Sequence, residues 1–254
     1  DLEADLKKIA DKFFHPESVH TKFLNAFVAG SQDLPLTQGG VPGLPRVGKR
    51  GLIKAQEAPT LLFFDLPGPG KTSRPLAAAE QTLADNPGVR HLPLFGVSGC
   101  GKTRTAIELL SRTWGLYFNA GAKDLGSSDM CTIIQAQSLH KDIYLTDNKE
   151  SNTDRVRHLT FGLLYARLLI LDYCLGIPGS SATFSCYRWM LLQVATSTFK
   201  DVFGSLFEVI SRYFYEHVVS SLIVHVVQDM FDKVQNRLLD RAEPSTLPHF
   251  KFLL

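Results

Sequence analysis

Gly96-Val97-Ser98-Gly99-Cys100-Gly101-Lys102-Thr103 fits the phosphate-binding template G-x-x-x-x-G-K-[ST] at every fixed position. At average residue usage, a chain of this length would match by accident roughly one time in a hundred. The flanks suit the motif, which carries a mechanism only between a strand and a helix. Leu92 to Phe95 is a short apolar run, and Arg104 to Trp114 reads as a helix with Ala106, Ile107, Leu109 and Leu110 on its inner side. The glycines let successive backbone N–H groups turn onto phosphate oxygens, and the helix N-terminus adds partial positive charge. In this reading Gly96, Val97, Ser98, Gly99, Cys100, Gly101, Lys102, Thr103 and Arg104 hold the nucleotide. Lys102 reaches the β- and γ-phosphates and is the catalytic residue; the Thr103 hydroxyl ligates Mg²⁺. Arg104 points along the helix, toward phosphate or toward solvent.

Working outward, these features place the chain in the α/β class, as a P-loop NTPase core of parallel strands with a large helical insert at about 130–240. Gly115 to Asn119 reads as a second strand, followed by the polar turn Asp124 to Asp129, where Asp129 caps a helix or sits near the nucleotide. On the N-terminal side, Leu2 to Phe14 and Ser18 to Phe27 read as amphipathic helices, and Ser31 to Arg50 is a Pro/Gly-rich linker. The expected division is residues 1–50 as a helical segment with linker and 51–254 as the NTPase domain. Thr60 to Phe64 is β-like. The following Gly70-Lys71-Thr72 imitates a phosphate loop but is read as a turn, because Pro67 and Pro69 lack the N–H donors such a loop needs. Beyond Met130, Arg155 to Leu175 is helical, Ser181 or Thr183 caps the next helix, and Phe199 to Leu239 is helical with a break. The aromatic stripe Phe203, Phe207 and Phe214 is assigned to the core.

Composition sets outer bounds. The chain has 254 residues, 44% hydrophobic and 20% charged, with a net charge of +2, so its overall balance indicates neither nucleic acid nor an anionic membrane. The four cysteines, Cys100, Cys131, Cys174 and Cys186, show no metal spacing and no disulfide framework. Cys100 lies inside the loop, as a small residue that fits or as an oxidisable thiol. The apolar stretches are interrupted by Arg167, Asp172 or His225, so neither a signal peptide nor a membrane span is expected.

A P-loop ATPase also needs an apolar strand ending in an acid that holds the Mg²⁺ shell. Leu168 to Asp172 has suitable letters but continues a helical spacing upstream; Leu61 to Asp65 is a better strand but precedes the loop. His249 to Leu254 begins a third apolar strand, without an acid at its end.

The stretch His91 to Arg104, followed by Trp114-Gly115-Leu116-Tyr117-Phe118-Asn119-Ala120, resembles the NTPase region of Crinkler-type effector proteins. Pro42 to Arg46, Gly126 to Met130, and Ala166 to Leu171 followed by Trp189 are similar to the same family. The resemblance implies a secreted protein delivered into a host cell, often to its nucleus, that binds ATP or GTP with Mg²⁺ and contacts host proteins. It also implies an acidic Asp-Glu pair just past Leu254, so the parent protein is expected to continue there and to hydrolyse nucleotide. Two alternatives stand beside the NTPase reading: a non-hydrolysing, nucleotide-switched interaction module, and a phosphotransferase, since the loop also resembles that of small sugar kinases.

Overall fold

The helix Lys149–Gly176 is apolar on every side along its second half, a pattern that belongs to the centre of a helical core rather than to its surface. The computed structural model describes residues 2–31, 66, 72–85, 97, 101–119, 126–130, 133, 149–195, 201–218, 220–241 and 251–253. Its elements in chain order are α1 (Leu2–Phe13), α2 (Val19–Val28), α3 (Arg74–Asp85), α4 (Lys102–Leu110), β1 (Gly115–Tyr117) and α5 (Lys149–Gly176). They continue with α6 (Ser180–Thr183), α7 (Cys186–Val194), α8 (Val202–His217), α9 (Ser220–Leu239) and β2 (Lys251–Leu253).

Helices α8 and α9 pack along α5, and α1 and α2 close the same core. Phe203, Phe207, Ile210 and Phe214 of α8 are fully or almost fully buried, as their spacing on one helical face requires. The N-terminal helices belong to this body. Leu6, Leu24, Phe27 and Val28 join the core cluster, Phe14 stacks on Tyr173 with ring centroids 4.2 Å apart, and the Tyr173 hydroxyl donates to Asn25 Oδ1 at 3.0 Å. The segment Thr153–Gly176 is long and apolar enough to cross a membrane, but 67% of its most apolar 18-residue stretch is buried inside the fold. Its two interior charges, Arg167 and Asp172, are both ion-paired.

The expected α/β core of parallel strands is corrected by this arrangement. Helices account for 77% of the described residues, and the core is made by helices packed on one another rather than on a sheet. Among the described residues, strand is confined to β1 and β2, three residues each, paired in parallel with Leu116 opposite Phe252. The physical reason lies at the other edge of β1. There, Trp189 Nε1 and Gln193 Nε2 donate to the Gly115 carbonyl at 2.7 and 3.1 Å. Gln193 Oε1 accepts from the Tyr117 N–H at 2.9 Å, and Arg167 Nη1 donates to the Tyr117 carbonyl at 3.0 Å. Side chains from α7 and α5 thus take the backbone hydrogen bonds that a neighbouring strand would have made.

Two smaller expectations change as well. Helix α7 is capped by Ser185, whose hydroxyl accepts from the Arg188 N–H, not by Ser181 or Thr183, which lie inside α6. Leu168 to Asp172 is helix, within α5. The long C-terminal helical segment breaks between His217 and Ser220. The proposed strands Leu92 to Phe95 and Thr60 to Phe64, Asp65, and all but Ser31 of the linker Ser31 to Arg50, lie outside the described residues.

Arg167 holds the seam between α5 and β1. Its guanidinium is 2.6 Å from Asp129 Oδ2, and both side chains are 1% exposed. The ring faces of Phe118 and Phe203 lie 4.9 and 4.5 Å from its central carbon. Substituting Arg167→Met leaves the Asp129 carboxylate buried without its counter-charge, and urea unfolding is expected to show a loss of about 3–5 kcal/mol. Adding Asp129→Leu should restore part of that loss. A double variant no more stable than the single one would show that the ion pair is not what holds this seam.

Candidate functional site

Helix α4 begins at the end of the glycine-rich motif. Gly101 is its N-cap, with φ +94° and ψ 8°, in the left-handed region that favours glycine. A Cβ there would meet nothing within 4 Å, so backbone conformation, not crowding, asks for glycine. No side chain caps the helix. The Thr105 N–H and hydroxyl both reach back to the Gly101 carbonyl, at 2.9 and 3.2 Å, and fix the first turn.

Of the expected nucleotide-binding residues, Val97, Gly101, Lys102, Thr103 and Arg104 are described; Gly96, Ser98, Gly99 and Cys100 lie outside the described residues. Lys102 is half-buried and folds back along the loop, its Nζ donating to the Val97 carbonyl at 2.9 Å. Thr103 is exposed in the first turn and Arg104 is half-buried. The loop's last residues therefore present an ammonium group and a hydroxyl at one helix end, next to a backbone turn that only glycine adopts without strain.

The rest of α4 anchors this end. Thr105, Ile107, Leu109 and Leu110 are buried, whereas Ala106, expected on the inner side, is half-buried. Glu108, 1% exposed, accepts from the Ser73 N–H at 2.8 Å and from its hydroxyl at 2.5 Å. The Ser73 hydroxyl in turn accepts from Leu76 at the start of α3. Arg112 Nη1 donates to the Thr72 hydroxyl at 2.7 Å, so the threonine of the imitation motif Gly70-Lys71-Thr72 serves as a docking point ahead of α3. Cys186 Sγ donates to the Ser111 carbonyl, tying the other end of α4 to α7. Burial raises the pKa of the Cys186 thiol, and that of the fully buried Cys174 rises much further, so both are inert thiols.

The two candidate acids among the described residues, Asp129 and Asp172, are committed elsewhere. Asp129 pairs with Arg167, and its Oδ1 accepts from the Met130 N–H at 2.8 Å, so it is an ion-pair partner inside the turn. Asp172 bridges Lys233 and Arg237 of α9, each at 2.8 Å. Among the described residues, no group of three or more His, Cys, Asp or Glu is placed to hold a metal ion. The Mg²⁺ ligand expected from the sequence, Thr103, stands without a protein carboxylate assigned to it.

Three residues that shape this region escaped the sequence reading: Gln193, Trp189 as a strand-edge donor, and Asp201. Asp201 caps α8 through Gly204 N–H at 2.9 Å and also accepts from the Ser128 N–H and hydroxyl at 2.8 and 2.7 Å and from the Ser127 hydroxyl at 2.9 Å. It thereby clasps the turn after β1 onto the start of α8. Burial alone raises its carboxyl pKa, but the hydrogen bonds from Gly204, Ser128 and Ser127 outweigh burial and leave it below the ordinary 3.8. A signal existed in the Asp-x-x-Gly start of an amphipathic run, an N-cap pattern, but nothing local points to Ser127 and Ser128, more than 70 positions away.

No known protein family, curated protein or solved structure matches the chain.

The clasp predicts a pH dependence. A carboxyl whose folded pKa lies below its unfolded value contributes stability that is complete above about pH 4 and is lost as pH falls through the folded pKa. Asp201→Ala should cost about 1–3 kcal/mol at pH 7, and its stability should fall less than that of the wild type between pH 5 and pH 2 in parallel urea titrations. Parallel profiles for the two proteins would exclude Asp201 as the titrating clasp.

Proposed function

We propose that the chain binds a nucleoside triphosphate with Mg²⁺, ATP in preference to GTP, at the loop from Gly96 to Thr103. The observation that carries this reading is the conjunction at the start of α4: a complete phosphate-loop motif, its last glycine in the left-handed conformation, and Lys102 curled back to the Val97 carbonyl at 2.9 Å. A lysine held along its own loop is poised to exchange a carbonyl for phosphate oxygens without a change of backbone. Glycine at the N-cap leaves the role of capping oxygen to an anion. Thr103, exposed one residue later, would offer its hydroxyl to Mg²⁺, whose remaining ligands would be phosphate oxygens and water. When bound, the metal would neutralise charge across the β- and γ-phosphates, and Lys102 would stabilise charge that develops on the transferred group.

Binding is better supported than turnover. The two candidate acids that are described are engaged in ion pairs, which favours a nucleotide-switched interaction module over an ATPase for the residues in view. In this proposal the output is contact with a host protein by a secreted effector, a role that rests on the resemblance of His91 to Met130 to Crinkler-type proteins. A sugar-kinase-like phosphotransfer has no observation in its favour beyond the loop itself.

Titration calorimetry with ATP and GTP, with and without Mg²⁺, tests the site. Wild type is expected to bind ATP in the micromolar to millimolar range, and Lys102→Ala should weaken binding by roughly 10- to 150-fold, the equivalent of a lost charged hydrogen bond of about 1.5–3 kcal/mol. Thr103→Ala should keep nucleotide affinity without Mg²⁺ and lose the increment that Mg²⁺ confers. Absence of binding by either nucleotide at millimolar concentration would sink the assignment. Steady phosphate release that Lys102→Ala abolishes would replace the switch reading with an enzymatic one.

A further inference from the structure

Helix α1 does not lie flush against the bundle. Between it and helices α5 and α9 runs a groove of about 610 Å³, within the usual size of a small-molecule site. Its surface is mainly apolar, with Leu6 and Leu169 buried along it and Phe14 and Met230 among its half-buried lining residues. None of its described lining residues belongs to the phosphate-loop motif.

Tyr165 lines this groove. It is 5% exposed, and no hydrogen bond joins its hydroxyl to another of the described residues. Its ring is held against Phe214 of α8, with centroids 5.7 Å apart. Burial, and then the carboxylates of Asp172 and Glu3, push its pKa up to about 12, so the phenol keeps its proton and can donate to a bound molecule.

Charge on the lining selects the kind of molecule. Four carboxylates, Glu3, Asp11, Asp172 and Asp229, stand against two ammonium groups, Lys7 and Lys233. Lys233 is already spent on Asp172, which Arg237 also neutralises. Asp11 on α1 and Asp229 on α9 are both exposed, and among the described residues neither forms an ion pair. An anionic ligand would meet these carboxylates on both walls, whereas a cation would be drawn to them. Lys7, one turn before Asp11, offsets only part of that field.

We propose that this groove is a binding site for an amphipathic ammonium compound, its apolar or aromatic body lying along α5 beside Tyr165 and its cationic nitrogen held by Asp11 and Asp229. The phenol of Tyr165 supplies a hydrogen bond to a polar substituent on the body. The apolar walls supply most of the affinity, and the carboxylates supply the choice of charge.

Fluorescence titration of the full chain with naphthylethylammonium, its N-acetyl amide and naphthylacetate tests the proposal. Saturable binding of the ammonium probe is expected, with about tenfold preference over the amide and more over the carboxylate. The double variant Asp11→Asn/Asp229→Asn should lose that preference, and because both side chains are exposed its melting curve should match the wild type. Met230→Trp should fill the groove and abolish binding with its circular dichroism unchanged. Tyr165→Phe should leave the melting temperature unaltered or slightly raised, as expected of a hydroxyl that bonds to none of the described residues. Equal binding of ammonium and carboxylate probes, no saturable binding of the ammonium probe, or a double variant that keeps the preference would each overturn it. Self-association broken by Met230→Trp would assign the groove to a second copy of the chain and overturn it as well.

Discussion

A guanidinium with no access to water must have its donors satisfied by the protein, and Arg167 meets that demand with atoms from three separate parts of the chain. Asp129 takes Nε and Nη2, the Tyr117 carbonyl takes Nη1, and Gln193 Oε1 lies 3.4 Å from the same nitrogen. Phe118 and Phe203 cover the two faces of the group. Helix α5, the strand β1, the turn at 126–130 and helices α7 and α8 therefore have one mutual arrangement in which the charge is paired. Apolar packing alone tolerates small slides between helices; a buried fork of donors does not, since each displaced partner exposes an uncompensated charge. The geometry of the seam follows from this one side chain more than from any pair of apolar contacts.

That seam also fixes where helix α4 begins. Four residues separate the end of α4 from β1, and both ends of this short link are held by α7: Cys186 at the Ser111 carbonyl and Trp189 with Gln193 at Gly115. On its opposite flank α4 is fixed to the start of α3 through the Glu108 carboxylate and Ser73. The start of α4, with Gly101, Lys102 and Thr103, is thus carried by a helix clamped on both sides by polar contacts, one of them made by the buried Glu108 side chain. The phosphate cradle proposed at this helix start would need such rigidity, because its donors must be aligned before the anion arrives. Helices provide it here, with the strand pair serving as a short brace.

The individual helices were legible because their apolar residues recur at the helical period, and α1, α2, α5, α8 and α9 fall within a few residues of where that spacing puts them. The class of fold was not. An eight-residue motif reports on the loop and its helix, and it says nothing of how many strands lie alongside. What limits the strand at one edge is the pairing of Gly115 and Tyr117 with Gln193 and Trp189, more than 70 positions later, and a glutamine in an apolar helix carries no label as a strand surrogate. Arg167 did carry a signal. A lone arginine within Leu163 to Leu171 must find a buried partner, and Asp129 was already singled out as an acid near the strand's end; the two were simply not joined. Of the candidate site, the conformation of Gly101 was implied by the motif, whereas the fold-back of Lys102 onto Val97 depends on the loop's path and could not be read from composition.

The carboxylates sort into two groups, and the sorting bears on what chemistry each region can support. Glu108, Asp129, Asp172 and Asp201 are buried or largely buried, and each is consumed by structure: a helix start, a guanidinium, a pair of basic side chains and a clasp of N–H and hydroxyl donors. Moving any of them to a metal ion would leave its present partners unsatisfied, at about 1–3 kcal/mol for each lost hydrogen bond and more for the buried charge. A Mg²⁺ ion at Thr103 would therefore draw its oxygen ligands from nucleotide and water, a coordination set that suits Mg²⁺ because it dehydrates reluctantly. Such an ion would then depend on the nucleotide for its place at the helix start, and none of the four buried acids would have to leave its present partners. Asp11 and Asp229, by contrast, are exposed, form no ion pair among the described residues, and line the α1 groove from α1 and α9.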